Sequence, residues 1–259
     1  MSGSELAGAT ALVTGASRGF GRGIAAALNR AGAQVVGVAR DRGPLEELRA
    51  ELGGAFTAVP ADATDPVAAG QLIDTYRPSI LVLNAGATPL PRPVQHHTWQ
   101  TFSRNWEVDV AQTFHWTREA LLAPLAPGSS VVTLSSGAAL RGSPLSGGYA
   151  GAKAAIRWLT SYAAEESGRD KLGIRFVSVL PQLTPATALG AVFAAAYATR
   201  QDTGRQDTGR QDTAGQAPVT PPPPLTPDQV GQAVIDLVAA EVLEEKAYLL
   251  TTAGLRALT

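Results

Sequence analysis

The sequence predicts an α/β fold: a single domain over residues 1–259, built on a doubly wound parallel sheet of about seven strands with helices on both faces. Three observations carry that prediction. Short runs rich in Val, Ile and Leu recur along the chain, longer helical patterns separate them, and the first run ends in a glycine-rich turn. Several runs are apolar almost throughout instead of alternating, as strands buried on both faces must be. Strands divided by helices join in parallel through right-handed crossovers. With 259 residues, 45% apolar and 17% charged, the chain buries a full core without a second domain.

The first strand is "TALVTG" (10–15), followed by a helix over 21–31. "AQVVGVAR" (33–40) leads to a helix at about 44–52, and "AFTAVPAD" (55–62) to one over 66–76. "SILVLNAG" (79–86) precedes a long helix at about 99–122, and "SSVVTLSS" (129–136) precedes another over 149–167. "GIRFVSVLP" (173–181) is the sixth strand. A helix over 227–240, opened by Thr226 and Pro227, leads to the last run, "KAYLLTTAG" (246–254). In such a sheet a ligand binds beyond the carboxyl ends of the strands, so function is sought there.

Composition narrows the partners. The formal net charge is −1 and Lys and Arg are scattered, which gives no footprint for nucleic acid or an anionic membrane. A small molecule is the expected partner. With no Cys, disulfides, thiolate catalysis and cysteine metal sites are excluded. No apolar run reaches membrane-span length, and "MSGSELAGATALVTG" has no basic segment followed by an apolar one, which predicts a soluble, cytoplasmic protein. His96, His97 and His115 lack the spacing and partners of a metal site, so none is expected. Trp99, Trp106 and Trp116 read as helix packing.

The first strand ends in "TGASRGFGRGIA". Gly15, Gly19 and Gly21 let backbone approach a diphosphate, and the following helix offers free N–H groups and its positive dipole end. About 18 residues on, the second strand ends in Ala39-Arg40. A carboxylate at this place binds ribose hydroxyls, whereas a 2′-phosphate calls for a guanidinium. Arg40, with Arg18 inside the turn, therefore favours NADP(H) over NAD(H); Asp41 keeps the opposite preference open.

The fifth strand and the next helix carry the chemistry. Ser136 sits at a strand end, with Tyr149 thirteen residues later and Lys153 four beyond that. Positions i and i+4 share a helix face, which sets the ammonium beside the phenol. An unperturbed phenol titrates near about 10, and a nearby cation favours its ionised form, so Tyr149 becomes a usable general acid or base.

Together, T-G-x-x-x-G-x-G at Thr14 to Gly21, Asp62 in "ADATD", Asn84-Ala85-Gly86, Ser136 and the Tyr149/Lys153 pair resemble the short-chain dehydrogenase/reductase family, in its order and spacing. The resemblance implies a Rossmann fold and an NAD(P)-dependent oxidoreductase, a carbonyl reductase or secondary alcohol dehydrogenase. It implies that Tyr149 gives a proton to the carbonyl, Ser136 bonds the carbonyl oxygen, and Lys153 holds the nicotinamide ribose. Cofactor contacts fall on Gly15, Ser17, Arg18, Gly19, Phe20 and Gly21, and on Arg40, Asp62 and Ala63. Asn84, Ala85 and Gly86 support the cofactor, and Pro181 and Thr184 complete its site.

Two departures bear on chemistry. In "FSRNWEVDVAQTF" Asp109 replaces the family's usual Asn, which holds a water relaying protons to the Lys; an ionised carboxylate there opposes phenolate formation. In "PQLTPATAL" Gln182 replaces a Gly, making it a candidate substrate contact. These two marks also sustain an alternative, a non-catalytic NAD(P)-binding sensor on the same fold.

Residues 182–226 are the expected substrate lid. They include the apolar "TALGAVFAAAYA" (187–198), which suits a ketone or alcohol with an apolar body. They also include "RQDTGRQDTGRQDT" (200–213), too polar to build a core and too short in period for a solenoid, hence an insertion the lid tolerates. Trp158 and Tyr162 spread apolar surface round the 149–167 helix. With the family's habit, this predicts a homodimer or homotetramer through the 99–122 and 149–167 helices.

Overall fold

The structure, a computed structural model, describes residues 6–142, 144–182, 191–193, 195–196 and 224–259. Its strands are β1 (Thr10–Thr14), β2 (Gln34–Ala39), β3 (Phe56–Pro60), β4 (Ile80–Leu83), β5 (Ser130–Leu134), β6 (Arg175–Pro181), β7 (Ala247–Thr251) and β8 (Gly254–Ala257). They form one sheet in the order β3-β2-β1-β4-β5-β6-β7-β8. Pairing is parallel from β3 through to β7. The last strand, β8, lies antiparallel to β7.

That eighth strand exceeds the seven expected. A hairpin with Thr251 opposite Gly254 turns the C-terminal "GLRA" back along β7, and the Thr251 hydroxyl accepts from the Ala253 N–H at 3.1 Å. The four-residue segment is too short and too little apolar to declare itself as a strand; β7 supplies the pairing.

The helices are α1 (Gly19–Arg30), α2 (Arg42–Leu52), α3 (Pro66–Tyr76), α4 (Trp99–Asn105), α5 (Ala111–Leu122), α6 (Ala138–Arg141), α7 (Gly148–Arg169) and α8 (Pro227–Ala239). Local chemistry starts several of them. Asp65 accepts from the Val67 N–H ahead of Pro66 in α3, and Thr226 and Gln229 form a capping box ahead of α8, each satisfying otherwise unpaired N–H groups. The single long helix expected over 99–122 is interrupted. A π-helical turn at Trp106–Val110 separates α4 from α5, and Asp109 lies buried within it. Such turns recur at functional sites.

Strand alternation builds two cores. Ala11 and Val13 of β1 face the cluster of Ile24, Leu28, Val230 and Val234 from α1 and α8. Leu12 between them faces Ile73, Trp116 and Ala163 from α3, α5 and α7. Burial on both faces is the physical reason these strands read as unbroken apolar runs. Trp116 packs as expected and donates its indole N–H to the Ala63 carbonyl at 2.9 Å. Trp99 and Trp106, expected as packing residues, are instead substantially exposed, because α4 and the π turn run over the surface with only one face covered.

The α1/α8 contact depends on two glycines. A Cβ at Gly231 would lie 2.6 Å from the Ala27 Cβ and 2.9 Å from the Gly23 carbonyl oxygen, so a side chain there must push the helices apart. Gly231→Val is expected to cost about 1–3 kcal/mol, the usual penalty for overpacking, measured by urea unfolding; unchanged stability would contradict this helix contact.

Candidate active site

A cleft of about 1080 Å³ opens beyond the carboxyl ends of the strands. It includes the place between β1 and β4 where the strand order changes direction, the usual ligand crevice of an open α/β sheet. The glycine turn lies at its floor. Gly15 has φ +69°, and an added Cβ would lie 2.8 Å from the Asn84 amide nitrogen and 2.9 Å from the Ala85 Cα. At Gly21 the same addition would run into the Gly15 carbonyl. No side chain caps α1, which leaves its first-turn N–H groups for a ligand.

Thr14 and Asn84 lock this turn to the next loop. The Thr14 hydroxyl accepts from the Asn84 and Ala85 N–H groups at 2.9 and 3.1 Å. In return the Asn84 side chain donates to the Thr14 and Gly15 carbonyls at 3.0 and 3.2 Å. Asn84, expected at the cofactor, thus braces two loops. The bracing Thr14 belongs to the glycine motif but gave no separate signal of this bond.

Arg18, Arg40, Asp41, Asp62 and Ala63 line one end of the cleft, with Ser17, Gly19 and Phe20. The Asp62 carboxylate accepts from the Thr64 N–H at 2.9 Å and its hydroxyl at 2.8 Å. The backbone bond first, then the hydroxyl and the Arg40 charge, hold its carboxyl below the usual range against the opposing effect of burial. Ser136, Tyr149, Lys153, Pro181 and Gln182 line the other end, with Leu140, Val192, Phe193 and Leu249. Phe193 lies 5.9 Å from Tyr149 between ring centroids, so part of the expected lid does reach the site. Thr184 and the RQDT tandem lie outside the described residues.

A buried ion pair lies beside Tyr149 in the cleft. Lys153 Nζ lies 3.2 Å from Asp109 Oδ2, their side chains 8% and 2% exposed. The ammonium also donates to the Leu134 carbonyl at 3.0 Å and stands 5.8 Å from the Tyr149 ring centroid. The other Asp109 oxygen accepts from the Ala87 N–H at 2.8 Å and the Asn105 side chain at 3.3 Å. Asp109 therefore ties the π turn, the loop after β4 and α7 together. Burial pushes the lysine towards its neutral form, but the Asp109 carboxylate, helped by Tyr149, outweighs it and holds the ammonium above the usual range. Raised in the folded state by the Asp109 carboxylate, it contributes stability below the ordinary lysine range that is lost as pH climbs through the folded value.

Asn105, which no motif flagged, joins this network, since its amide also donates to the Ala87 carbonyl at 2.9 Å. The histidines do not converge: His97 Nδ1 pairs with the Thr101 hydroxyl at 3.2 Å. Among the described residues no three His, Asp or Glu gather as metal ligands.

A sequence profile described as short chain dehydrogenase matches residues 9–197. The chain belongs to the short chain dehydrogenase family. This dehydrogenase is 35% identical over 184 residues to an L-xylulose reductase from Bos taurus, covering 70% of this chain and 75% of that one. It is 32% identical over 183 residues to carbonyl reductase (NADPH) 2 from Sus scrofa, covering 70% and 74%. Its fold matches a crystal structure of 3-ketoacyl-(acyl-carrier-protein) reductase from Brucella melitensis in complex with NADH, at TM-score 0.71 and 26% identity over 91% and 92% of the two chains. It is an NAD(P)-dependent oxidoreductase with a mostly parallel, Rossmann-like sheet.

Removing one partner of a buried pair leaves an uncompensated charge. Lys153→Met is expected to destabilise the fold by about 3–5 kcal/mol, with Asp109→Asn costing less because an amide oxygen can keep the Ala87 bond. The double variant should regain part of the loss in thermal unfolding at neutral pH. Wild-type stability in Lys153→Met would show that the pair is not held as described.

Proposed function

We propose that this dehydrogenase is an NADP(H)-dependent carbonyl reductase, or the corresponding secondary alcohol dehydrogenase, acting on a ketone or alcohol with an apolar body. The observation that carries the reading is one cleft lined by a glycine cradle a Cβ would fill at one end and by Ser136, Tyr149 and Lys153 at the other. The residues fit a dinucleotide: Gly15 and the uncapped α1 suit a diphosphate, and Arg18 and Arg40 suit a 2′-phosphate. When bound, the nicotinamide supplies the hydride for reduction or takes it up in oxidation.

In this reading Ser136 donates a hydrogen bond to the carbonyl oxygen and Tyr149 gives it a proton as the carbonyl carbon gains hydride, completing the alcohol. Two N–H groups of Lys153 are taken by Leu134 and Asp109, leaving the third for the nicotinamide ribose. Asp109 is a positioning residue that fixes the ammonium and the loop at Ala87. Leu140, Val192, Phe193 and Leu249 give the apolar wall for the substrate body, and Gln182 stands at its edge.

Trp106, Phe114, Trp158 and Tyr162 are 42–58% exposed on the π turn, α5 and α7, with Trp158 stacked on Tyr162 at 6.3 Å. A second copy of this chain covers that face in the proposed homodimer or homotetramer. Trp158→Glu should then lower the mass seen in sedimentation; no change would remove this face from the interface.

The function is tested by following reduced nicotinamide absorbance with NADPH or NADH and a panel of apolar ketones. Turnover is expected, lowered about 10²–10⁴-fold in Tyr149→Phe, with dinucleotide binding retained. Arg40→Ala should weaken use of NADPH about tenfold or more relative to NADH. Tight dinucleotide binding without turnover of any ketone would defeat the reductase reading.

A further inference from the structure

The arginines of this chain fall into two groups. Those spread over the outer surface are mostly paired with carboxylates: Arg22 with Glu51, Arg30 with Asp228, Arg49 with Glu46, Arg77 with Asp74, Arg118 with Glu119 and Arg169 with Asp170. The four that line the cleft are Arg18, Arg40, Arg141 and Arg256, and none makes an ion pair among the described residues. Arg18 and Arg40 lie with the glycine turn and the end of β2, where they would hold the adenosine end of a dinucleotide. Arg141 and Arg256 lie with Ser136, Tyr149 and Leu249 at the other end of the cleft.

The placement of this second pair follows from the hairpin the sequence did not announce. Residues directly opposite on antiparallel strands share a sheet face, and Arg256 of β8 is opposite Leu249 of β7. Leu249 packs with Leu180 and with Ala139 of α6, and its side chain approaches Gly137. Arg256 is thereby set on the face that carries α6, and Arg141 ends α6. The carboxylates lining the cleft are Asp41, Asp62 and Asp109. The first two lie at the adenosine end, and Asp109 is committed to Lys153. Among the described residues, the substrate end thus carries two guanidinium groups with no acidic lining side chain, beside the apolar wall of Leu140, Val192, Phe193 and Leu249.

We propose that the substrate carries a carboxylate, or an equivalent anionic group, separated from its reacting carbonyl by an apolar body and held by Arg141 and Arg256. This rests on the reductase reading above. A guanidinium presents paired donors matched to carboxylate geometry. Two cations beside an apolar wall also favour an anion over its neutral ester, and draw it to the site at low ionic strength.

The test compares a 4-aryl-4-oxobutanoate with its methyl ester as substrates for the full chain with NADPH, alongside the Arg141→Gln, Arg256→Gln and double variants. The acid is expected to exceed the ester in kcat/KM by about tenfold or more. That ratio should fall about tenfold in the double variant and shrink as salt is raised. Calorimetric titration of the protein–NADPH complex with unreactive 4-phenylbutanoate and 4-phenylbutanol separates the two readings. Preferred binding of the carboxylate, lost in the double variant, supports the anion site even where neither ketone turns over, which would defeat only the reductase reading. Equal use of acid and ester together with equal binding of carboxylate and alcohol, or a preference unchanged in the double variant, overturns the proposal.

Discussion

Strands β1 to β7 run the same way, and a parallel sheet can be laid down only if each connection carries the chain back across a face to the starting edge. That constraint gathers the loops after β1, β2, β4, β5 and β6 along one edge and leaves the opposite edge to the returning segments. Where the order changes direction between β1 and β4, the two loops diverge and a crevice opens. The glycine turn after β1 and the Asn84 loop after β4 meet there, held by Thr14 bonded to Asn84 and Ala85 and by the Asn84 side chain bonded to the Gly15 carbonyl. Covering helices on both faces follow from the same geometry, and with them the two apolar cores.

The buried pair of Asp109 and Lys153 adds a second constraint to that crevice. In a water-poor interior each charge is costly alone and acceptable beside its partner. The π turn at Trp106–Val110 accommodates the carboxylate, and its remaining hydrogen bonds go to Ala87 and Asn105. A carboxylate cannot donate hydrogen bonds, so its surroundings must supply donors only, and each partner described is an N–H group. The pair therefore fixes loop and helix relative to each other as well as charge.

Charge along the cleft is arranged with the same economy. Most outer arginines find carboxylate partners, while those facing the cleft form no ion pair among the described residues, although Arg40 lies close enough to Asp62 to depress its carboxyl. The apolar surface of Leu140, Phe193 and Leu249 lies beside Arg141 and Arg256.

Much of this was legible in the chain. Strand runs matched observed strands to within a few residues because burial on both faces forces continuous apolar composition, and Pro66 and Pro227 marked helix starts because their fixed backbone angle suits the first turn. The Tyr149 and Lys153 spacing, the glycine turn and the departure at Asp109 were visible as residue types at fixed intervals. The interruption of the 99–122 helix was not, since a π turn inserts one residue without changing the apolar pattern enough to notice. Nor was β8, whose few residues become a strand only against β7. The sequence by itself determined the fold class and the family, and it marked many of the residues that line the cleft, because periodicity and local backbone chemistry are written residue by residue. Only the tertiary structure decided that Asp109 bonds Lys153, that Thr14 locks two loops, and that Arg141 and Arg256 share one cleft, because each joins segments distant in the chain whose meeting depends on strand order and register.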